Sequence, residues 1–111
     1  MWIYLTREFW NMRMEYIDVL EKRGPYREGH LGLAKKLIAE GKCLSGGPTS
    51  DIGAEVPSGA IFVFTDLESA QLFAKDDPYV DAGIVTKHEI TEWNVEVLID
   101  RNDKGCFGVC L

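Results

Sequence analysis

The stretch AIFVFTDLESAQLFAK, residues 60–75, contains the two signals that decide the fold of this chain. Its first five residues are all apolar and mostly of β type, which predicts a central strand buried on both faces. Residues 65–68 (TDLE) then have the spacing of a helix capping box, so a helix is predicted to run to about Lys75. The inward face of that helix would consist of Ala70, Phe73 and Ala74.

The residues that precede this stretch predict a strand followed by a helix. Residues 2–10 are rich in aromatic and β-branched types and predict the first strand. Residues 11–23 are mixed and charged, which predicts a connecting loop or a short helical turn. Pro25 suits the first position of a helix that runs to about Glu40, and Gly41 suits its C-terminal cap.

Glycine and proline residues mark the ends of the predicted elements in the rest of the chain. A short strand is predicted over residues 42–45 and is expected to end at Gly46-Gly47-Pro48, with a polar loop to about Ser58. Pro78 excludes the helical conformation at the residue before it and so ends the second helix. Residues 84–98 predict a long last strand.

The resulting order is β-α-β-β-α-β, which predicts a ferredoxin-like α+β fold with two helices on one face of an antiparallel sheet. The other face would expose apolar side chains, and Trp93, Val95 and Val97 alternate along the last strand. We therefore expect a homodimer built sheet to sheet. The alternative is a monomer whose second face is covered by residues 11–23 and the C-terminal tail.

Composition limits the classes of function. A chain of 111 residues suits one domain, and a net charge of -6 disfavours nucleic-acid partners. No apolar stretch approaches the roughly 20 residues of a membrane span, and residues 1–8 do not resemble a signal peptide. Three cysteines, Cys43, Cys106 and Cys110, fit a reducing cytosol better than a disulfide framework. We expect a cytoplasmic protein without metal or organic cofactor.

His30 is the most informative residue for function. It occupies an apolar stripe with helical spacing, where Leu or Ile would be expected. A buried imidazole requires a hydrogen-bonding partner, and its charge can change near neutral pH. The stripe consists of Tyr26, His30, Leu33, Ala34, Leu37 and Ile38.

Asp77 is a candidate partner, because the start of the first helix and the end of the second can meet on the same sheet face. A carboxylate on one imidazole nitrogen would leave the other nitrogen as a base. Asp77 could equally just cap a helix or fill a turn. Arg27, one turn before His30, could bind an anion or pair on the surface with Glu28 or Glu21.

Two further segments are candidates for binding. The Gly46-Gly47-Pro48 turn could present backbone N–H groups to an anionic ligand, or it could simply end a strand. Tyr79 could line a pocket beside Asp77, or it could be a buried anchor for the turn.

Several segments together resemble the YciI-like family, also called YCII-related domain proteins. The resemblance covers roughly residues 2–98, and Trp93 matches an aromatic position on the last strand. The segment over residues 9–19 is longer than the family's usual first loop. The matching segments are LEKR at 20–23, YREGHL at 26–31, GKCLSGGP at 41–48 and DDPYVDAGI at 76–84.

The resemblance implies one YCII-related domain over residues 1–98, a dimeric α/β barrel, and a tail over residues 99–111 without a family counterpart. It also implies a site centred on His30 and Asp77, with Arg27 as a recurrent arginine. Activity proposed within the family is elimination or proton transfer on small, often aromatic, compounds.

The leading hypothesis is a cofactor-independent enzyme of lyase or isomerase type acting on a small carbonyl-containing or aromatic compound. His30 would be the general base and Asp77 would orient it. The alternative hypothesis is a non-catalytic dimeric module that binds a small ligand or a protein. Residues predicted to bind the substrate are Arg27, Gly46, Gly47 and Tyr79.

Overall fold

The computed structural model describes the backbone of residues 2–99 and the side chains of residues 8–95. The described part contains four strands and four helices. In chain order these are β1 (Trp2–Tyr16), α1 (Val19–Lys22), α2 (Arg27–Ala39), β2 (Cys43–Thr49), β3 (Gly59–Phe64), α3 (Leu67–Asp76), α4 (Pro78–Asp81) and β4 (Val85–Ile99).

The four strands form one antiparallel sheet in the order β2-β3-β1-β4. The register places Met12 of β1 between Phe62 of β3 and Ile90 of β4. Together with α2 and α3, this order is the ferredoxin-like arrangement, and the predicted fold class is confirmed.

The core lies between the sheet and the two long helices. Strand β1 contributes Met12 and Met14, whose side chains point to the same face because alternate residues of a strand share a face. The predicted inward residues of α3 are confirmed as buried. The core cluster consists of Met12, Met14, Ala34, Leu37, Cys43, Ala60, Phe62, Phe64, Ala70, Phe73 and Ala74.

Strand β1 is longer than the sequence predicts, because it continues through the presumed loop to Tyr16. Met12 and Met14 alternate there with Asn11, Arg13 and Glu15, which is the two-residue period of a half-buried strand. The charged residues in that alternation are why the sequence favoured a loop over a strand here. Since residues 11–16 belong to the sheet, they cannot fold over its second face as the monomer alternative requires.

Strand β2 also differs from the prediction, because Gly46-Gly47-Pro48 continues the strand instead of breaking it. Pro48 has no N–H to donate, and β2 lies at the sheet edge, where one side of a strand is unpaired. The predicted turn at this point is therefore wrong.

The helix termini shift by one or two residues. Helix α2 begins at Arg27 and not at Pro25, while Gly41 follows its end with φ of 73°, as expected of a C-terminal glycine. Helix α3 is capped by Asp66, one residue after the predicted Thr65: the Asp66 side chain accepts from the Ser69 backbone N–H at 2.7 Å. Pro78 ends α3 as predicted.

The sheet face opposite the helices carries apolar residues of its own. The rings of Phe9 and Trp93 lie 6.2 Å apart, and Trp93 is 45% exposed. Val95 is buried, and the side chain of Val97 lies outside the described residues. Within the described residues, no helix is long and apolar enough to cross a membrane.

The C-terminal end of the chain lies mostly outside the described residues. Strand β4 includes Ile99, the first residue of the predicted tail. The remainder of that tail, with Cys106 and Cys110, is not described.

Candidate functional site

His30 and Asp77 form a buried side-chain pair. The distance between His30 Nδ1 and Asp77 Oδ1 is 2.7 Å, and the two residues are 6% and 0% exposed. The same oxygen accepts from the Tyr79 backbone N–H at 3.1 Å. An ionised carboxylate can only accept, so in this pair Nδ1 donates to Asp77 Oδ1, and a neutral imidazole would then carry its lone pair on Nε2.

Local backbone structure explains why the two residues meet. Pro78 holds Asp77 in an extended conformation between α3 and α4, where its side chain caps α4. A Cβ at Gly29 would lie 3.1 Å from Pro78 Cγ, so the glycine beside His30 allows α4 to approach α2 closely. Asp77 therefore caps a helix, as one of the two sequence-based interpretations suggested, and also pairs with His30.

Aromatic rings fix the plane of the imidazole. The Tyr79 ring stacks on His30 with a centroid distance of 3.9 Å and an interplanar angle of 1°. Phe62 and Phe73 meet His30 edge to face at 5.9 and 5.8 Å. These three rings hold the imidazole plane from its face and its edges.

The pair leaves one polar atom unsatisfied. Asp77 Oδ2 is buried and has no hydrogen-bond partner within the described part of the chain. Such an atom costs about 1–3 kcal/mol of desolvation.

His30 opens onto a cavity of about 310 Å³ between α2 and the edge strand β2. Five of the six predicted site residues line it, and Asp77 lies behind His30. Pockets for small ligands begin at about this size. The lining residues are Tyr16, Val19, Arg23, Arg27, His30, Leu31, Ala34, Lys35, Ile38, Cys43, Gly46, Gly47, Pro48, Pro57, Ala60, Phe62 and Tyr79.

Helix α2 lines the cavity with a face that differs from the predicted stripe. His30, Ala34 and Leu37 are buried as expected, but Tyr26 and Ile38 are 40% and 47% exposed. The cavity wall is rotated from the core face. It consists of Arg27, His30, Leu31, Ala34, Lys35 and Ile38, again with helical spacing.

The Phe62 side chain on the neighbouring strand leaves no room for a side chain at Gly46. A Cβ at this position would collide with the Phe62 ring, and Phe62 in turn contacts His30. In an extended strand successive N–H groups point to opposite sides, so Gly46 and Gly47 do not form the anion-binding turn that the sequence suggested. Their place in the structure is the cavity wall.

Gly46→Ala is therefore expected to lower the free energy of unfolding by about 1–3 kcal/mol, because Phe62 must move. Gly47→Ala is the matched control, since a Cβ there meets nothing within 4 Å. Urea denaturation of both variants measures the difference. Equal losses at the two positions would contradict the close approach of Phe62 to Gly46.

Tyr16 and Cys43 line the cavity but were not predicted as site residues. Burial, with smaller contributions from Asp77 and Tyr79, raises the pKa of the Tyr16 phenol. Burial also raises the pKa of the Cys43 thiol, which donates to the Ser45 carbonyl oxygen at 3.4 Å. Both groups therefore stay protonated near neutral pH. The signal that could have found Tyr16 is its place at the end of the unrecognised half of β1.

The Tyr16 shift predicts a loss of stability at alkaline pH. Because its pKa is raised on folding, the contribution is fully present below its ordinary value of 10.0 and is lost as pH rises above it. Thermal or urea unfolding between pH 8 and about 11.5 should show wild type losing up to about 1.4 kcal/mol per pH unit more than Tyr16→Phe. Parallel curves for the two proteins would show that Tyr16 is not buried in solution.

Two further site expectations can be compared with the structure. Arg27 forms no ion pair with Glu28, Glu21 or any other described residue, and it lines the cavity. No group of three or more His, Cys, Asp or Glu side chains among the described residues is placed to hold a metal ion.

Comparison with known proteins identifies the family of this chain. The family model of the YCII-related domain matches residues 10–94. An uncharacterised protein of Haemophilus influenzae is 42% identical over 74 residues, which cover 60% of this chain and 76% of the relative. Protein YciI of Escherichia coli is 39% identical over the same length and with the same coverage.

Among solved structures, one match is the 5-chloro-2-hydroxyhydroquinone dehydrochlorinase of Burkholderia phenoliruptrix, in complex with 2,5-dihydroxybenzoquinone. The TM-score is 0.62 at 22% identity, and the match covers 78% of this chain and 93% of that one. This likeness shows the shared fold. The domain match and the two sequence relatives show that the chain belongs to the YCII-related domain family.

Proposed function

We propose that this protein is a small cytosolic enzyme that transfers a proton next to a carbonyl group and so catalyses elimination or isomerisation of a small, often aromatic, compound. The observation that carries the proposal is the buried His30–Asp77 pair with its imidazole facing a cavity. A histidine oriented by a carboxylate is suited to general-base catalysis.

The proposed reaction begins when His30 Nε2 removes a proton from the carbon beside the carbonyl. The C–H electron pair then forms an enolate, whose oxygen Arg27 stabilises from the cavity wall. The enolate either expels a leaving group from the adjacent carbon, which is elimination, or is reprotonated elsewhere, which is isomerisation. Asp77 offsets the positive charge that His30 acquires.

The related fold of a dehydrochlorinase supports the elimination branch. Loss of hydrogen chloride from the keto tautomer of a chlorinated hydroquinone needs a base for the departing proton and a site that tolerates the chloride ion. The cavity supplies His30 as that base, and its walls are largely apolar.

Chloride release is a direct test. Purified protein is incubated with 5-chloro-2-hydroxyhydroquinone and with a panel of related hydroxyquinones, and chloride and solvent-deuterium exchange at ring carbons are measured by ion chromatography and NMR. We expect exchange or chloride release with at least one compound, above the rate of a His30→Ala sample. Native mass spectrometry can also identify a ligand that co-purifies with wild type but not with His30→Ala. Such a ligand would be added to the compounds tested. The same rates in both proteins for every compound would refute the proposed base.

A second candidate function is a non-catalytic binding module. It is favoured by the structural part that Asp77 plays, because one oxygen both caps α4 and holds His30. In that case the pair stabilises the cavity wall, and the cavity holds a ligand without reaction.

We also propose that the protein is a homodimer built through the uncovered sheet face. Trp93 is exposed there, Ile61 and Val63 are only partly buried, and Asn11 Oδ1 is buried without a partner in the described residues. A second copy would cover the apolar residues and offer a donor to Asn11. Sedimentation equilibrium should give twice the mass of one chain; the mass of a single chain at micromolar concentration would exclude this dimer.

A further inference from the structure

We infer that the ligand of the cavity is a single-ring organic anion whose negative group, a planar oxyanion such as a carboxylate or phenolate, is held by Arg23 and Lys35 together with Arg27. The inference deepens the proposed function, since it concerns the same cavity. It does not require His30 to perform chemistry.

The charges around the cavity carry this inference. Arg23, Arg27 and Lys35 line it, and within the described residues no aspartate or glutamate does. This occurs in a chain with 18 acidic and only 12 basic side chains. A cleft lined by one sign of charge concentrates ligands of the opposite sign.

A second cavity on the same molecule is not lined by basic residues alone. That cavity, of about 700 Å³, has two basic and two acidic residues among its lining, so their charges balance. The residues are Arg13, Lys87, Glu15 and Glu89.

The three cations of the first cavity are available to a ligand. None of them forms an ion pair or a side-chain hydrogen bond within the described part of the chain. Arg27 and Lys35 lie eight residues apart on α2 and so share a helix face, and Arg23 approaches from the end of α1. An oxyanion placed between them would be contacted from two elements.

The remaining walls define the body of the ligand. Leu31, Ile38, Pro48 and Pro57 are apolar, and Phe62 closes the floor beside His30. A volume of about 310 Å³ lies at the lower end for small-molecule sites, which suits one ring with its substituents. An apolar ring would contact the apolar walls, and an anionic group at one end of it would contact the basic residues.

The test compares benzoate with benzamide, which has the same shape without the charge. Both are titrated into the ¹⁵N-labelled protein, and shifts of backbone amides around the cavity are followed by NMR. We expect benzoate to shift amides of α2 and β2 and to bind about tenfold or more tightly than benzamide. Arg23→Gln and Lys35→Gln should each weaken benzoate about two- to fivefold, while Lys36→Gln, one residue along α2 but outside the cavity lining, should leave it unchanged.

Three results would overturn the inference: equal affinity for the two probes, binding of neither, or equal effects of the Lys35 and Lys36 variants. The outcome is separable from the proposed reaction. If His30→Ala retains the preference for benzoate and no turnover is found with any compound, the anion site stands and the enzyme proposal fails. If turnover depends on His30 but benzamide binds as well as benzoate, the enzyme proposal stands and the anion site fails.

Discussion

Turnover of the His30→Ala variant is expected to fall by about 10²- to 10⁴-fold, the usual contribution of a positioned general base. The loss should appear in kcat, because His30 Nε2 acts on the reacting proton and the rest of the cavity can still bind the substrate. Steady-state kinetics with the compound found in the turnover panel measures it.

His88→Ala is the matched control, since His88 is the other histidine of the chain and lies exposed on β4, away from the cavity. Its turnover should stay within about twofold of wild type. If His30→Ala also stays within that range, the assignment of the base is wrong. Circular dichroism of the two variants separates loss of the base from loss of the fold.

Asp77→Ala is expected to lower the free energy of unfolding by about 2–5 kcal/mol. The substitution removes the acceptor of both the His30 Nδ1–H and the Tyr79 backbone N–H, and each buried donor left unpaired costs about 1–3 kcal/mol. It also removes the cap of α4. Urea denaturation at neutral pH measures the change.

Asp77→Asn provides the comparison, because its amide oxygen can accept from the same two donors. We expect a loss of about 1–2 kcal/mol, since hydrogen bonds to a neutral acceptor are weaker than those to a carboxylate. If Asp77→Ala loses less than about 0.5 kcal/mol, the two hydrogen bonds at Asp77 Oδ1 are not formed in solution. That outcome would remove the physical basis of the oriented base.

The two residues together distinguish the candidate functions. An enzyme predicts that His30→Ala abolishes most of the turnover while the domain remains folded. A binding module predicts that substitutions at His30 and Asp77 act chiefly on stability, with ligand affinity following the integrity of the cavity wall.

Much of the fold could be predicted because its signals are local. The apolar run of β3, the glycine after α2 and the proline after α3 each act within a few residues of their own position. The errors arose where tertiary context outweighs local preference. Charged residues on the outer sheet face concealed the second half of β1, and an edge position made Pro48 acceptable within β2.

The sequence alone determined the βαββαβ order and marked His30 and Asp77 as a potential pair, because periodicity and breaker residues are properties of each segment by itself. Only the tertiary structure decided that the pair backs a cavity. That cavity is formed by the second face of α2, the edge strand β2 and the end of β1, which are distant in the sequence. The places of Tyr16 and Lys35 on its wall, and the absence of acidic residues among its described lining, follow from how these elements pack together and from no pattern within any one of them.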